Sequence, residues 1–286
     1  MKTSKKKKYI CLAVLFLIGL SILLYPMISD RWNKFRDSQL INTYNNTMSD
    51  DSMKQKTAEM LEKARIYNEQ IDRESVPDAF SVRDGVTDEE YESLLNTEGD
   101  GMMGYVEIPV IDVNIPIYHY TTEETLKKGA GHLFGSSLPI GGENTHSVIS
   151  AHRGLPSAKM FTDLNLVKTG DVFYIHVLDQ VLAYEVDQIL TVKPEETGSL
   201  SITPGEDYFT LVTCTPYAVN SHRILVRGHR IPYEDAKEIE KTETKVSGIN
   251  NPSIVMLGVC VMIGVAIAFG VVRLSSIISN RKKNRK

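Results

Sequence analysis

The distribution of apolar residues divides the chain into two hydrophobic ends and a long polar middle. One apolar run covers residues 9–28 and follows four consecutive lysines, and a second covers residues 254–272. Each run is about 20 residues long, which is the length that a helix needs to cross a bilayer. The pattern therefore predicts a tail and transmembrane signal anchor in residues 1–29 and a C-terminal transmembrane helix with a basic tail in residues 253–286, after a polar linker at residues 234–252.

Charge predicts the orientation of both spans. Residues 1–29 contain five lysines, residues 250–286 contain six basic residues, and neither segment contains an acid. Basic residues beside a span favour the cytoplasmic side, so we expect both termini in the cytoplasm and the middle of the chain outside the cell membrane, with lipid around the spans. No small-residue cleavage site follows residue 28, which favours an uncleaved anchor; cleavage after the run is the alternative.

The middle of the chain is strongly acidic. Setting aside the basic ends leaves 21 basic residues against 36 acidic ones. Duplex binding depends largely on neutralising phosphates with lysine and arginine, so this balance argues against nucleic acid as a partner. The acidic excess favours solubility of an exported domain over recognition of a basic partner.

Residues 30–101 are polar and prone to form helices. An apolar stripe recurs at spacings of four, three and four residues, at Met60, Ala64, Tyr67 and Ile71. This spacing predicts an amphipathic helix that packs on the following domain, and two heptads are too few to indicate a coiled coil. Proline and its neighbours predict a loop near residues 76–85.

From residue 102 the pattern changes to short β-branched and aromatic runs separated by glycine and proline. The candidate strands cover residues 105–108, 113–118, 147–151, 172–177, 182–192, 208–213 and 224–228. Helical patterns are short, at residues 122–127 and 157–164. Seven or eight short strands within residues 102–233 predict a mostly β domain, either a closed barrel or a sandwich.

A single thiol lies in the polar middle of the chain. Cys11 and Cys260 belong to the apolar ends, whereas Cys214 stands at the far end of a predicted strand and has no disulfide partner in its own domain. Arg223 begins the next predicted strand, so the thiol and the guanidinium face one site if the two strands pair. A buried structural cysteine is the alternative.

These groups are suited to acyl transfer. A nearby cation favours the nucleophilic thiolate, an imidazole can protonate a leaving amine, and a guanidinium can stabilise an oxyanion. Spacing alone does not choose among the histidines, which are His119, His132, His146, His152, His176, His222 and His229. No CxxC or HExxH spacing is present, so we expect no metal and no cofactor.

The sequence around Cys214 resembles that of sortases. Thr210-Leu211-Val212-Thr213-Cys214 is similar to the sortase signature Thr-Leu-x-Thr-Cys, and Ser150-Ala151-His152-Arg153-Gly154 resembles the segment that holds the sortase histidine. The residues from 215 to 230 look like those of class C, the pilus-assembling branch in Gram-positive bacteria. The resemblance runs from about residue 102 to residue 230. It implies an eight-stranded β-barrel with Cys214 as nucleophile, His152 as acid/base and Arg223 as the positioning or oxyanion-stabilising group.

Class C sortases also have a lid loop that carries Asp-Pro-aromatic over the active site. The similar segment here is Asp78-Ala79-Phe80, in which alanine replaces the proline and Pro77 stands one place earlier. The resemblance implies that Asp78 pairs with Arg223 and that Phe80 covers Cys214. An ordinary interdomain loop is the alternative, because the missing proline makes the loop less rigid.

The activity that the resemblance implies is transpeptidation. Cys214 attacks the Thr–Gly bond of an LPXTG-like sorting signal on a pilin, and a lysine amine of a second pilin resolves the thioester. A housekeeping sortase that attaches proteins to a cell-wall precursor is an alternative, although the lid-like segment and second span argue against it. An exported cysteine hydrolase would use the same three groups without selecting an amine, and a non-enzymatic membrane scaffold would not need the thiol.

Overall fold

The computed structural model describes residues 2–71, 77–80, 87–155, 157–242 and 264. Backbone contacts divide the chain into two compact units, one formed by Met1–Leu24 with Gly248–Lys286 and the other by Tyr25–Ser247. The second unit contains every candidate site residue. The predicted C-terminal span, apart from residue 264, and the end of the predicted linker lie outside the described residues.

Helix α1 covers Lys2–Met48 and continues through Pro26. Its portion Ala13–Met48 is the one helix, within the described ranges, whose length and composition allow it to cross a membrane. The prediction of an N-terminal apolar helix is therefore confirmed, but the helix does not end at residue 29. It continues because residues 30–48 contain neither glycine nor proline.

The last turns of α1 belong to the second unit and pack on its core. Ile41, Tyr44 and Met48 are buried and follow the spacing of one helix face. The Tyr44 hydroxyl donates to the Met103 carbonyl at 3.2 Å and accepts from the Leu178 amide at 2.6 Å. This part of the helix is thus held by both apolar burial and paired polar groups.

Helix α2 covers Lys54–Gln70 and turns the predicted apolar stripe towards the core. Ala64 is fully buried, and Tyr67 packs against the core cluster. Near the end of the helix, the Asn68 side chain donates to the Leu138 carbonyl at 3.3 Å and accepts from the Leu138 amide at 2.7 Å. The chain therefore enters the predicted loop from a fixed point on the barrel.

Eight strands form a closed barrel, in the order β1-β2-β3-β4-β7-β8-β6-β5, with β5 pairing back onto β1. The strands are β1 Met102–Ile108, β2 Val113–His119, β3 Ala130–His132, β4 Thr145–Ser150, β5 Val172–Val177, β6 Gln180–Val192, β7 Asp207–Thr215 and β8 His222–Ile231. Neighbours are antiparallel except for β2 with β3 and β4 with β7. The prediction of a mostly β barrel with short helices is confirmed.

Strand β3 is the one that the sequence pattern misses. It has three residues, and Gly131 at its centre lies so close to the Tyr120 carbonyl that a Cβ atom there would collide with it. Glycine is therefore required for close approach of two backbones, whereas the pattern indicates a turn. Burial by the neighbouring strands β2 and β4, rather than local propensity, makes this segment a strand.

Short helices complete the fold, and of the two predicted in the barrel region one is present and one is not. Helix α3 is Glu89–Ser93, and the predicted helix at residues 122–127 is present as α4, Glu123–Lys128. The helix expected at residues 157–164 is wrong, because the chain there forms turns and then one 3-10 turn at Leu164–Leu166.

The linker expected at residues 234–252 is wrong in its first part. Residues Tyr233–Thr242 form helix α5, which buries Ala236 against Val172 and Tyr174. The helix also places the Lys237 ammonium 4.4 Å from the Tyr174 ring centre. Its apolar face consists of Ala236 and Ile239, supplemented by the aliphatic stem of Lys237, and the charged residues around these two obscure the apolar period in the sequence.

We expect Ala236→Asp to detach α5 or to distort its contact, because a larger charged group would enter a filled site. The expected loss of stability is about 1–3 kcal/mol. Thermal unfolding of the full chain in detergent measures it. Glu238→Ala, on the exposed face of the same helix, is the control and should change stability little; equal midpoints for the two variants would contradict the packing described for α5.

Candidate active site

The pairing of β7 with β8 brings the thiol and the guanidinium together. Cys214 and Arg223 are direct cross-strand partners in the antiparallel register, so their side chains leave the same face of the sheet. Each residue is 8% exposed. The prediction that these two strands pair is confirmed, and the pairing makes one partly desolvated site of the two groups.

The pairing of β4 with β7 brings His152 to the same end of the barrel. The two strands run parallel with Ser150 opposite Val212, and His152 and Cys214 each stand two residues beyond that pair. The Ala151 amide donates to the Val212 carbonyl at 3.2 Å, and the Thr213 hydroxyl donates to the Ala151 carbonyl at 2.8 Å. Neighbouring strands lie about 4.8 Å apart, so imidazole and thiol extend from adjacent strand ends.

The lid-like segment lies against this strand end. Asp78 accepts two hydrogen bonds from Arg223, 2.9 Å from Nε and 3.0 Å from Nη2. The Phe80 ring lies 4.9 Å from the guanidinium carbon of Arg223, and its centre is 6.2 Å from that of the His152 ring. All three sequence-predicted catalytic residues and both lid residues therefore meet in one place.

Ala79, which stands between Asp78 and Phe80 in the sequence, fills a small apolar pocket. It is 1% exposed. Its pocket is lined by Leu133, Val148, Leu200, Val212 and Leu225. Burial of this side chain holds Asp78 and Phe80 over the site, although the segment lacks the proline of the resembling motif.

The local environment opposes the charged forms of both reactive groups. Burial raises the pKa of the Cys214 thiol; the Arg223 charge acts to lower it, and the Asp78 carboxylate raises it again. Burial lowers the pKa of His152, with Glu123 opposing and Lys127 adding to that shift. With Asp78 and Phe80 in place, the pair is thus biased towards neutral thiol and neutral imidazole.

Three other histidines are buried in hydrogen bonds that stabilise the fold. Burial lowers the pKa of His132 and of His146 to about 4 and also lowers that of His119. His132 bonds Tyr91, and His146 bonds Thr210, at 2.7 Å in each case. In the described part of the chain, no group of three or more metal-ligating side chains is positioned to hold an ion.

Sequence reasoning missed Arg153, which joins the strand end after His152 to the one after Cys214. Its guanidinium donates to the Thr215 hydroxyl at 2.9 Å, to the Asn165 side chain at 2.8 Å and to the Thr162 carbonyl at 3.2 Å. The only signal was its place beside His152 in the motif. Its partners come from two distant segments, which spacing does not reveal.

The comparisons with known proteins agree with this geometry. The sortase domain family matches residues 106–231. The chain is similar to sortase C of Streptococcus pneumoniae, at 49% identity and TM-score 0.64 over 68% of this chain and 97% of that structure. It is also similar to sortase C-1 of Actinomyces oris, at 48% identity and TM-score 0.59 over 62% of this chain and 99% of that structure.

A curated relative, sortase A of Streptococcus agalactiae, is 34% identical over 145 residues, which are 49% of this chain and 54% of the relative. The chain thus spans about half the length of that relative. It belongs to the sortase family, and its structural neighbours are the class C, pilin-type sortases.

We expect Asp78→Asn to release the segment from Arg223 while keeping the side-chain shape. Loss of a charge-assisted pair shifts the open population by roughly tenfold or more, so alkylation of Cys214 by iodoacetamide should accelerate by a similar factor. The apparent thiol pKa should fall, because a carboxylate that raises it has been removed. Alkylation rates measured against pH on the full chain provide both numbers.

The exposed Asp179→Asn is the matched control for that substitution and should leave the alkylation profile unchanged. Since the thiol pKa is higher in the closed form than in the open form, rising pH favours opening in the unsubstituted chain. An Asp78→Asn profile identical to that of the unsubstituted chain would show that the ion pair does not restrain the thiol.

Proposed function

We propose that this chain is a membrane-anchored cysteine transpeptidase that cleaves an LPXTG-like sorting signal and joins pilin subunits. The observation that carries the proposal is the meeting of Cys214, His152 and Arg223 at one barrel end, beneath Asp78 and Phe80. Three side chains from three neighbouring strand ends supply a nucleophile, an acid and a fixed positive charge.

The first half-reaction starts from the ion pair that forms when the Cys214 thiol gives its proton to His152. The thiolate then attacks the carbonyl carbon of the Thr–Gly bond. The resulting oxyanion is stabilised by the Arg223 guanidinium, which keeps its proton at working pH. The C–N bond breaks as His152 gives a proton to the departing glycine amine. The products are a thioester between threonine and Cys214, a neutral imidazole and a released C-terminal fragment.

In the second half-reaction, a lysine amine of another pilin attacks the thioester carbonyl. His152 accepts the proton that the amine loses, and Cys214 leaves as a thiolate. The product is an isopeptide bond, and the enzyme returns to its starting protonation state. Selection of an amine over water requires an acceptor that is bound close to the thioester.

Arg223 must change partners for this cycle to begin. While Asp78 accepts both hydrogen bonds, the guanidinium charge is shared with a carboxylate and is poorly available to a thiolate or an oxyanion. We infer that Asp78 and Phe80 act as a lid that keeps the site in its neutral, covered form. Substrate binding then replaces the lid and frees Arg223.

Pilin is the substrate that the resemblance and the relatives favour. The pneumococcal sortase C, which is similar over most of its length, is described in terms of pilin substrate specificity. The lid segment and the two apolar ends are consistent with that branch rather than with a housekeeping enzyme. We infer pilins with LPXTG-like signals as partners and a second pilin as the acceptor.

The membrane arrangement completes the proposal. The apolar runs at residues 9–28 and 254–272, each with basic residues at its outer flank, favour two spans with both termini in the cytoplasm. The catalytic barrel then faces the cell exterior, where exported pilins become available. Anchoring also holds the enzyme near subunits that themselves leave the membrane.

Substitution of the histidines tests which imidazole is the acid. His152→Ala should reduce transpeptidation of a sorting-signal peptide to a lysine-containing acceptor by roughly a hundredfold or more, the usual contribution of a positioned acid. Cys214→Ala should abolish the product. The control His229→Ala, on β8 away from the thiol, should retain measurable activity; a loss with His229→Ala but not with His152→Ala would reject the assignment.

A further inference from the structure

The loop that follows His152 folds back onto that residue. The Phe161 amide donates to the His152 carbonyl at 3.2 Å, and the Gly154 amide donates to the Thr162 hydroxyl at 3.1 Å. Phe161 is fully buried, which fixes the returning end of the loop. The backbone of His152 is therefore positioned by the loop rather than by a strand partner of its own.

Helix α1 holds the outer part of the same loop. Asp30 accepts a hydrogen bond from the Lys159 amide at 2.8 Å, and the Asn33 side chain donates to the Ser157 carbonyl at 2.7 Å. The two side chains are three residues apart and therefore share one face of the helix. Both contacts are to backbone groups, so they fix the path of the loop whatever its side chains are.

The region of contact is polar and loosely filled. An open cavity of about 180 Å³ lies beside it, lined by residues of α1, of the start of β2 and of the loop. The Lys159 ammonium turns to the Ile111 carbonyl at 2.6 Å and to Asp163 at 3.0 Å. Removal of the Asp30 and Asn33 bonds thus loosens the outer part of the loop, while Ala158, Met160 and Phe161 stay packed in the core.

A second contact of the same helix leads to the other neighbours of the imidazole. Arg36 donates to the Lys128 carbonyl at 3.0 Å, at the end of α4. Helix α4 carries Glu123 and Lys127, the two charged residues that act on the pKa of His152. The segment of α1 from Asp30 to Arg36 is less than two helical turns long. It contacts both the loop that follows His152 and helix α4.

We propose, resting on the acyl-transfer function above, that Asp30 and Asn33 are positioning residues that hold the His152 loop in its productive place. Cys214 stands on β7, whose ladder to β4 and β8 does not involve this contact. Helix α1 thus positions His152, the acid, whereas the barrel positions Cys214, the nucleophile. A misplacement of about 1 Å in a catalytic group lowers the rate by roughly a hundredfold.

The test compares two leaving groups in the first turnover of the full chain in detergent. One substrate has the Thr–Gly amide, whose amine must be protonated to leave; the other has a thioester after threonine, whose thiolate leaves unprotonated. Asp30→Ala with Asn33→Ala should lower the saturating acylation rate on the amide by roughly 10- to 100-fold and leave the thioester rate nearly unchanged. The half-saturating concentration should also change little.

Single and control variants separate positioning from folding. Asp30→Asn keeps an acceptor oxygen and should stay near the unsubstituted rate, whereas Asn33→Asp loses the donor and should follow the double variant. Thr43→Ala is the control on the same helix, since the Thr43 side chain is exposed and its hydroxyl donates to the Gln39 carbonyl one turn earlier. Thermal midpoints are measured for each variant.

An unchanged amide rate in the double variant, or an equal loss on both substrates, would overturn the positioning role. Either result leaves the proposed function intact as long as Cys214→Ala forms no thioester. Failure of the unsubstituted chain to acylate Cys214 with either substrate would instead contradict the proposed function. A lower acylation rate that is confined to the amide substrate in the double variant, and that is absent in Asp30→Asn, would support the inference.

Discussion

The bidentate ion pair between Asp78 and Arg223 is the contact on which the state of the site depends. Both side chains are nearly buried, at 12% and 10% exposure, so the pair forms where water screens little. The same guanidinium is the cross-strand neighbour of Cys214. Its charge is therefore shared, in this conformation, between the Asp78 carboxylate and the thiol of Cys214. Burial is the main cause that raises the pKa of the Cys214 thiol, and the Asp78 carboxylate adds to that shift while Arg223 opposes it.

The barrel brings the three side chains of the candidate site together. The parallel pairing of β4 with β7 and the antiparallel pairing of β7 with β8 bring residues from sequence positions 152, 214 and 223 to one end. Cys214 and Arg223 are partners in one strand ladder, whereas His152 lies beyond the end of its strand. His152 depends on its loop and on helix α1, Cys214 on the strand ladder, and Arg223 on the ladder and the lid. Release of Asp78 from Arg223 would leave in place the ladder that positions Cys214.

The sequence predicts most of the barrel, because strand alternation and turn residues are local properties. It misses β3, where the glycine indicates a turn, and α5, where charged residues surround the two packed apolar positions Ala236 and Ile239. The pairing of Cys214 with Arg223 is predictable from their place at adjacent strand ends. His152 is not, since its position relative to Cys214 depends on the register of two strands 60 residues apart, and only the resemblance selects it. Arg153, Asp30 and Asn33 make hydrogen bonds between distant segments, which no local pattern encodes.

Mapping of the acyl-enzyme tests the central account most directly. The full chain is incubated briefly with a pilin-type sorting peptide, quenched in acid and digested, and the fragment bearing the adduct is identified by mass. We expect a thioester on Cys214 that ends at threonine. An added lysine-containing acceptor should convert this thioester to an amide-linked product faster than water hydrolyses it. An adduct on another residue, cleavage at a different bond, or hydrolysis that an acceptor amine does not suppress would contradict it.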